Sequence, residues 1–457
     1  MSEITELEQF KKLLKESGVV GAGGAGFPTY AKLSDKADTV IMNCAECEPL
    51  LRLHRQLLEV HTSQILSAFD TILSATGAQR GIIAVKEHYR ETLKAVEYEL
   101  EEHPKLSLCR LGAVYPSGDE LLLIKEATGR GVQPGELPIS VGVIVCNVET
   151  VYNVGRALAG EPVTDKFVTV AGEVKAPVTL KVPIGTEINE IIKAAGGVTT
   201  DRPAYITGGP MMGRLISPKS PVTKTTNAVI VLPEDHPVIM NKMRNPKISL
   251  RRAMSVCCQC RSCTELCSRH AAGYPVEPHM VMRVLSNGGK GDVLSLAGSM
   301  FCSGCGLCET YSCPQGLSPR ALIDEIKAAA RMNGIKPPTG MKLSEVKDAE
   351  YKKVSVERLT SRLALKKYDV PAPLTLSEQP FETHKVRIML SQHIGSPAEP
   401  VVKQGDRVTR GDAVAFCGGK TLGVYIHASI DGTVSEVCDK YIIIEKKAAA
   451  HKGGKEQ

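Results

Sequence analysis

CCQCRSCTELC at residues 257–267 and CSGCGLCETYSCP at 302–314 carry most of what this chain has to say about its chemistry. Cys257, Cys260, Cys263 and Cys267 stand at the spacing C-x2-C-x2-C-x3-C. Cys302, Cys305, Cys308 and Cys313 repeat it with one extra residue before the last, and Pro314 follows. Four thiolates packed this closely, twice over, suit [4Fe-4S] clusters, with three ligands from one turn of chain and a fourth from beyond it. The rival reading is a pair of structural zinc sites. Zinc modules bring their ligands as separated pairs, whereas each group here is complete at four. Cys258 is a spare, because without Cys257 the two-residue gap to Cys260 is lost. An array of this kind moves single electrons.

The bulk of the chain fits that role. At 457 residues it is expected to form roughly three domains. It is 43% hydrophobic and 23% charged, the composition of a globular protein. A formal net charge of +6 is modest for this length and argues against a dedicated nucleic-acid binder. No apolar run is long enough for a transmembrane helix. The N-terminus, MSEITELEQFKKLLKESG, is acidic at once and lacks the apolar core of a secretory signal. The expected setting is therefore the cytoplasm, where the 15 cysteines serve metal or redox chemistry and not disulfides.

Ile4, Leu7, Phe10, Leu13 and Leu14 predict a first helix that stops at Gly18. The glycine-rich GAGGAGFPTYAKL follows. Apolar runs (TVIMNCA, GIIAVKE, VGVIVCNVET) then alternate with amphipathic stretches (LLEVHTSQILSAFDTILSAT, YRETLKAVEYELEEH), the pattern of an α/β domain with a mainly parallel sheet over 1–160. Residues 166–233 predict a small β-rich domain with one helix. Residues 245–335 predict a helical, loop-rich cysteine region. Residues 336–385, with Pro337 and Pro338, read as a linker, and 386–446 as Gly-punctuated strands.

Several constellations stand out besides the cysteine runs. The glycines of GAGGAGFPTYAKL let backbone amides approach a phosphate, although alone they also fit a tight turn. NCAECEPLL ends a predicted strand, placing Asn43, Glu46 and Glu48 where open α/β sheets bind ligands. Cys44 and Cys47 within it read more simply as small buried hydrophobes than as metal ligands. YPSGDELLL offers Tyr115, Asp119 and Glu120, and CNVET offers Asn147 and Thr150. In the two-cluster ferredoxin pattern the fourth cysteine of each run serves the other cluster. That assigns Cys257, Cys260, Cys263 and Cys313 to one cluster, and Cys302, Cys305, Cys308 and Cys267 to the other.

Taken in order, these motifs resemble the flavin subunit of respiratory complex I and, more closely, the C subunit of Rnf-type ferredoxin:NAD oxidoreductases. The resemblance covers most of the chain. It implies a Rossmann-like FMN and NADH domain, an SLBB-like β-grasp domain, a dicluster ferredoxin-like region and a barrel-sandwich hybrid domain. It further implies that Gly21, Gly23, Gly24, Ala25 and Gly26 wrap FMN, with Lys32 nearby. Asn43, Glu46, Glu48, Tyr115, Asp119, Glu120, Asn147 and Thr150 are then expected to line the flavin and the nicotinamide approach. Where the complex I pattern has Asn-Ala-Asp-Glu, this chain reads Asn43-Cys44-Ala45-Glu46 and lacks the Asp. The segment QHIGSPAEPVVKQGDRVTRGDAV lies after the cysteines, whereas in Rnf C subunits its counterpart precedes the flavin domain. That shifted order resembles the PduS-type cobalamin reductases of propanediol-utilising bacterial microcompartments. The implied activity is NADH-dependent reduction of cobalamin through FMN and two [4Fe-4S] clusters, with an Rnf-like electron-transfer subunit as the alternative. The implied partners are NADH, cobalamin or a redox-protein acceptor, with an adenosyltransferase or a microcompartment shell protein as further candidates.

Overall fold

A computed structural model describes residues 6–375, 381–418 and 421–446. The first helix, Glu6–Glu16, buries Phe10 and Leu14 and ends before Gly18, which turns at φ +75°. Ile4, expected on the same face, lies outside the described residues. After the glycine loop, four parallel strands lie in the order Leu106–Leu111, Arg80–Lys86, Thr39–Cys44, Val143–Asn147. Alternate residues of the central strand serve two cores. Val40, Met42 and Cys44 pack with the helices Leu53–Val60, Thr62–Thr76 and Val148–Leu158, while Ile41 and Ala45 pack with Leu123 and Ile124 of Glu120–Thr128. Burial on both faces explains why these strands read as unbroken apolar runs. The register sets Asn43 beside Asn147 at the carboxyl edge.

Two details differ from the sequence reading. LLEVHTSQILSAFDTILSAT forms two helices, because His61 leaves helical dihedrals (φ −117°, ψ 32°) and its ring lies 4.9 Å from that of Tyr152. The edge strand Leu106–Leu111 has no strong apolar signature, since only its two ends are buried.

The second domain is a five-stranded sheet in the order Val178–Pro183, Asp165–Gly172, Ala228–Pro233, Pro203–Thr207, Arg214–Ile216. Asp165–Gly172 and Ala228–Pro233 pair in parallel and their neighbours antiparallel. The helix Ile188–Ala194 covers one face through Ile188, Ile191 and Ile192. The cysteine region is built of short helices. Among the described residues no helix is long and apolar enough to cross a membrane.

The stretch 336–385, expected as a linker, is in its described residues a strap fastened to three domains. Val354–Ser355 pairs antiparallel with Val114–Tyr115. Leu359, Leu363, Leu365 and Tyr368 are buried in a core shared with Tyr115, Ile206, Met211, Leu232, Cys305 and Leu307. Farther along, the Gln56 amide donates to Ala372 O at 2.7 Å and Thr375 N–H to Thr179 O at 2.9 Å.

The last domain places two small antiparallel sheets around Val386, Ile388, Val414, Ile426, Val434 and Ile444. It docks on the first two domains through a buried polar node. Lys224 Nζ donates to Gly18 O at 2.7 Å and to Tyr425 O at 3.0 Å, and its backbone N–H donates to the Gln392 side chain at 3.0 Å. Burial pushes this ammonium down to about 7, and the neighbouring Cys417 pulls weakly the other way. The imidazole of His427 beside it is pushed down to about 3, by burial first and then by Lys224.

Because the folded pKa of Lys224 lies below its ordinary value, the folded state binds fewer protons than the unfolded one between pH of about 7 and 10.5. The favourable contribution is therefore present at high pH and lost as pH falls toward 7. Thermal midpoints of the protein and of Lys224→Met, compared across that range, should diverge in favour of the native lysine as pH rises. A constant difference would show that the ammonium stays hydrated.

Candidate functional site

The glycine loop is held open by its neighbours. Gly21 N–H donates to Phe27 O at 2.9 Å and Ala22 N–H to Thr150 Oγ1 at 3.0 Å. Thr150 is fixed in turn, because its N–H and hydroxyl both donate to Asn147 Oδ1, at 2.8 and 2.7 Å. A Cβ on Gly23 would lie 2.9 Å from the amide nitrogen of Asn227 and 3.2 Å from that of Asn147, so only glycine admits both amides this close. Gly24, at φ +62°, faces open space. Ala25 O accepts Ile394 N–H of the last domain at 3.0 Å, and the backbone of Gly26 lies against Thr225 and His393.

Lys32 reaches the carboxyl edge of the sheet, donating to Val145 O at 3.2 Å and pairing with Glu120 at 3.0 Å. Asn43 donates to Gly118 O at 3.0 Å and accepts from Ala45 N–H. Asn43, Lys32, Glu120, Asn147 and Thr150 thus gather with the loop around one edge. Thr29 Oγ1 and Asn227 Oδ1 are buried there without a protein partner, as is Glu46 Oε1 at the end of the first strand. An open glycine backbone and an ammonium can donate to a phosphate, and unpartnered buried oxygens can accept from a ring N–H, which together suit a group such as FMN. Sequence reasoning missed Asn227 and Thr225. Both come from the second domain, in the unremarkable polar stretch TKTTN.

The other acidic and aromatic residues are engaged elsewhere. The Glu48 carboxylate accepts the N–H groups of Met211 and Met212 at 2.9 and 2.8 Å, so it anchors the second domain. The Tyr115 hydroxyl donates to Cys305 O at 2.7 Å. Asp119 caps the helix Glu120–Thr128 and pairs with Arg269 at 2.8 Å. The Glu46 carbonyl accepts from Lys86 and Tyr89 at 2.7 and 2.8 Å. Burial holds the Cys44 thiol well above its ordinary value and pushes that of Cys47 up to about 12, so both stay neutral.

The cysteine runs fold alike. Gln259 (φ +54°) and Arg261 (φ +64°) occupy left-handed conformations at the positions where the second run has Gly304 (φ +73°) and Gly306 (φ +81°). Each loop then enters a four-residue helix, Ser262–Glu265 or Leu307–Thr310. The result crosses the runs over. Cys257, Cys260, Cys263 and Cys313 line one cavity, and Cys258 lines it as well. The Cys263 thiol is pushed up to about 12, by burial first and then by Cys313, Cys257 and Cys260. Cys267 is pushed up by burial and next by Cys305, with Cys302 adding to it, and Cys308 by burial, Glu309, Cys302, Cys305 and Cys267.

Thiolates gathered so closely need a cationic core to neutralise them. Among the described residues no three such side chains close on a single ion. Hydrogen bonds already point at the sulfurs, from Gly304 N–H to Cys302, Leu317 N–H to Cys313 and Gln259 Nε2 to Cys257, each at 3.3 Å. The set containing Cys267, Cys305 and Cys308 is the more buried, while Cys260 of the other set is exposed.

Family models match this layout. Residues 14–156 match a Nuo51 FMN-binding domain, 167–215 an SLBB domain, 256–318 a 4Fe-4S dicluster domain and 373–451 an RnfC barrel sandwich hybrid domain. The C subunit of the Na(+)-translocating ferredoxin:NAD(+) oxidoreductase complex of Acetobacterium woodii is 30% identical over 59% of this chain and 59% of its own. Cobalamin reductase PduS of Salmonella typhimurium is 41% identical over 96% of both chains. Cobalamin reductase PduS of Citrobacter freundii is 42% identical over 97% of this chain and 98% of its own. With such likeness along nearly its whole length, this electron-transfer oxidoreductase belongs to the cobalamin reductase PduS family.

Proposed function

We propose that the protein is an NADH-dependent reductase of cobalamin that holds FMN at the glycine loop and two [4Fe-4S] clusters in the crossed cysteine sets. The observation that carries this reading is the graded depth of the sites. The glycine loop lies at the sheet edge; the inner set (Cys267, Cys302, Cys305, Cys308) is tied to that domain by Tyr115 and Arg269; the outer set (Cys257, Cys260, Cys263, Cys313) opens at the surface. A bound flavin supplies the exchange between hydride chemistry and single-electron chemistry. The chain supplies the geometry. Thr150 and Asn147 hold the loop, Lys32 sets a positive charge at the strand ends, and the Tyr115 hydroxyl fixes the inner cysteine loop against the flavin domain. The resemblance to PduS proteins further supports work in or beside a bacterial microcompartment.

The decisive assay is anaerobic. Flavin- and iron-replete protein given NADH should reduce cob(III)alamin. Replete protein that oxidises NADH with ferricyanide but leaves the corrinoid untouched would instead favour an Rnf-like electron-transfer subunit.

Gly23→Ala pushes a methyl group against two amides. It should weaken FMN binding at least about tenfold, equivalent to about 1.4 kcal/mol, in a fluorescence titration, with iron content unchanged. The crossed ligand sets carry their own signature. Cys267→Ser should abolish the same electron paramagnetic resonance signal as Cys305→Ser, and Cys313→Ser the same one as Cys263→Ser. Pairing by run, with Cys267→Ser acting like Cys263→Ser, would refute the crossing.

A further inference from the structure

The outer cysteine set is reached along one element, the 11-residue helix Pro246–Val256, which runs straight into Cys257. From His236 to Thr264 the chain carries six Lys and Arg residues and no Asp or Glu. Half of them are spoken for: Lys242 donates to Met211 O and Gly213 O, Arg244 to Gly316 O and Ser318, and Arg261 lies 3.7 Å from Glu265. Lys247, Arg251 and Arg252 are exposed, and among the described residues they have no ion-pair partner. Interleaved with them, Ile248 is 57% exposed, Met254 54% and Val256 44%. The face ends at Cys258 and Cys260, both exposed.

The opposite face is already used. Ser249 and Ala253 are buried, and Leu250 packs with Met282 and Leu322. The neighbouring helix Pro278–Ser286 adds Arg283, with Glu277 at its N-cap; on Pro319–Met332, Asp324 is paired with Arg320 and Glu325 is the one further acid.

We propose that this face docks an acidic redox protein, which exchanges single electrons with the outer cysteine set. The inference rests on the reading of that set as a cluster site. Uncompensated cations around an apolar centre speed the encounter with an acidic partner and orient it. The exposed methionine and aliphatic side chains adapt to the partner's surface once it arrives. A second copy of this chain fits poorly, since a two-fold contact would set the same cations against one another. A membrane fits poorly too, because the helix has no aromatic residue to seat at the interface.

Binding tests this without electron flow. The full-length, iron-replete, oxidised protein is titrated with an oxidised acidic flavodoxin at low and at high salt, with no NADH present. The native protein should bind, more weakly as salt rises. R251E/R252E should bind about tenfold less tightly, with most of the salt dependence gone. K247E should show a smaller loss in the same direction, and all three should keep the same iron content and visible spectrum. Equal flavodoxin affinity in the native protein and R251E/R252E would overturn the proposal. So would Arg251- and Arg252-dependent binding to phosphatidylglycerol vesicles in place of flavodoxin, or self-association that the double variant abolishes. A protein that binds flavodoxin through this face yet never reduces cobalamin keeps the docking site and loses the reductase. One that reduces cobalamin while ignoring flavodoxin does the reverse.

Discussion

Tyr115 donates its hydroxyl to the carbonyl oxygen of Cys305 at 2.7 Å, and most of the electron-transfer geometry hangs on that contact. Tyr115 belongs to the first domain and Cys305 to the inner cysteine set. The bond lies in the core where the strap, the second domain and the cysteine region meet. A buried hydroxyl stripped of its partner costs about 1–3 kcal/mol, so the two domains are penalised for sliding apart. The ion pair of Asp119 with Arg269, both largely buried, fixes the same junction from the next turn of chain. Asp119 also caps the helix whose first residue, Glu120, pairs with Lys32 at the glycine loop. Asp119 and Glu120 thus join the inner cysteine region to Lys32 at the glycine loop.

Charge buried at the other seams works the same way. Glu149 and Lys166 form an ion pair with both side chains almost fully buried, joining the helix Val148–Leu158 to the first strand of the second domain. Asp165 takes Arg156 from that helix and Arg410 from the last domain. Such pairs add little net stability, yet loss of one partner costs about 3–5 kcal/mol. Their energy lies in accurate placement, and what they place is the glycine loop: Asn227, Thr225 and His393 reach it from domains that these contacts hold in register. The loop sequence alone provides a flexible backbone. The cradle appears only when three domains close on it.

That division explains what could be read from the chain. The cysteine spacing, the alternation of apolar runs and the glycine loop are local signals, and each reports on chemistry within a few residues of itself. Glu48 looked like a ligand at a strand end because its partners, the Met211 and Met212 amides, lie more than 160 residues away. Asn227 carried no signal, since a single asparagine in a polar loop becomes informative only beside Gly23 and Asn147. The 336–385 stretch looked slack because its Pro- and Lys-rich start hides how few anchors a strap needs. Val354, Leu359, Leu363 and Leu365 suffice, and each buries its side chain in a core built by other domains. The break at His61 likewise carries no local signal, and the ring it meets, that of Tyr152, lies far along the chain.

The two cysteine loops share a backbone path but solve it with different residues. In the inner loop Gly304 and Gly306 take the left-handed turns without strain. In the outer loop Gln259 and Arg261 take the left-handed turns despite a cost of roughly 1–2 kcal/mol each. Exposure leaves room for their side chains. Gln259 uses that room to donate a hydrogen bond to Cys257, a role that the Gly304 backbone N–H fills for Cys302. Both loops thus stabilise negative charge on sulfur through a donor two residues along. Solvent adds more to that stabilisation at the outer set, where Cys260 is exposed, than at the inner set, where three of the four cysteines are buried.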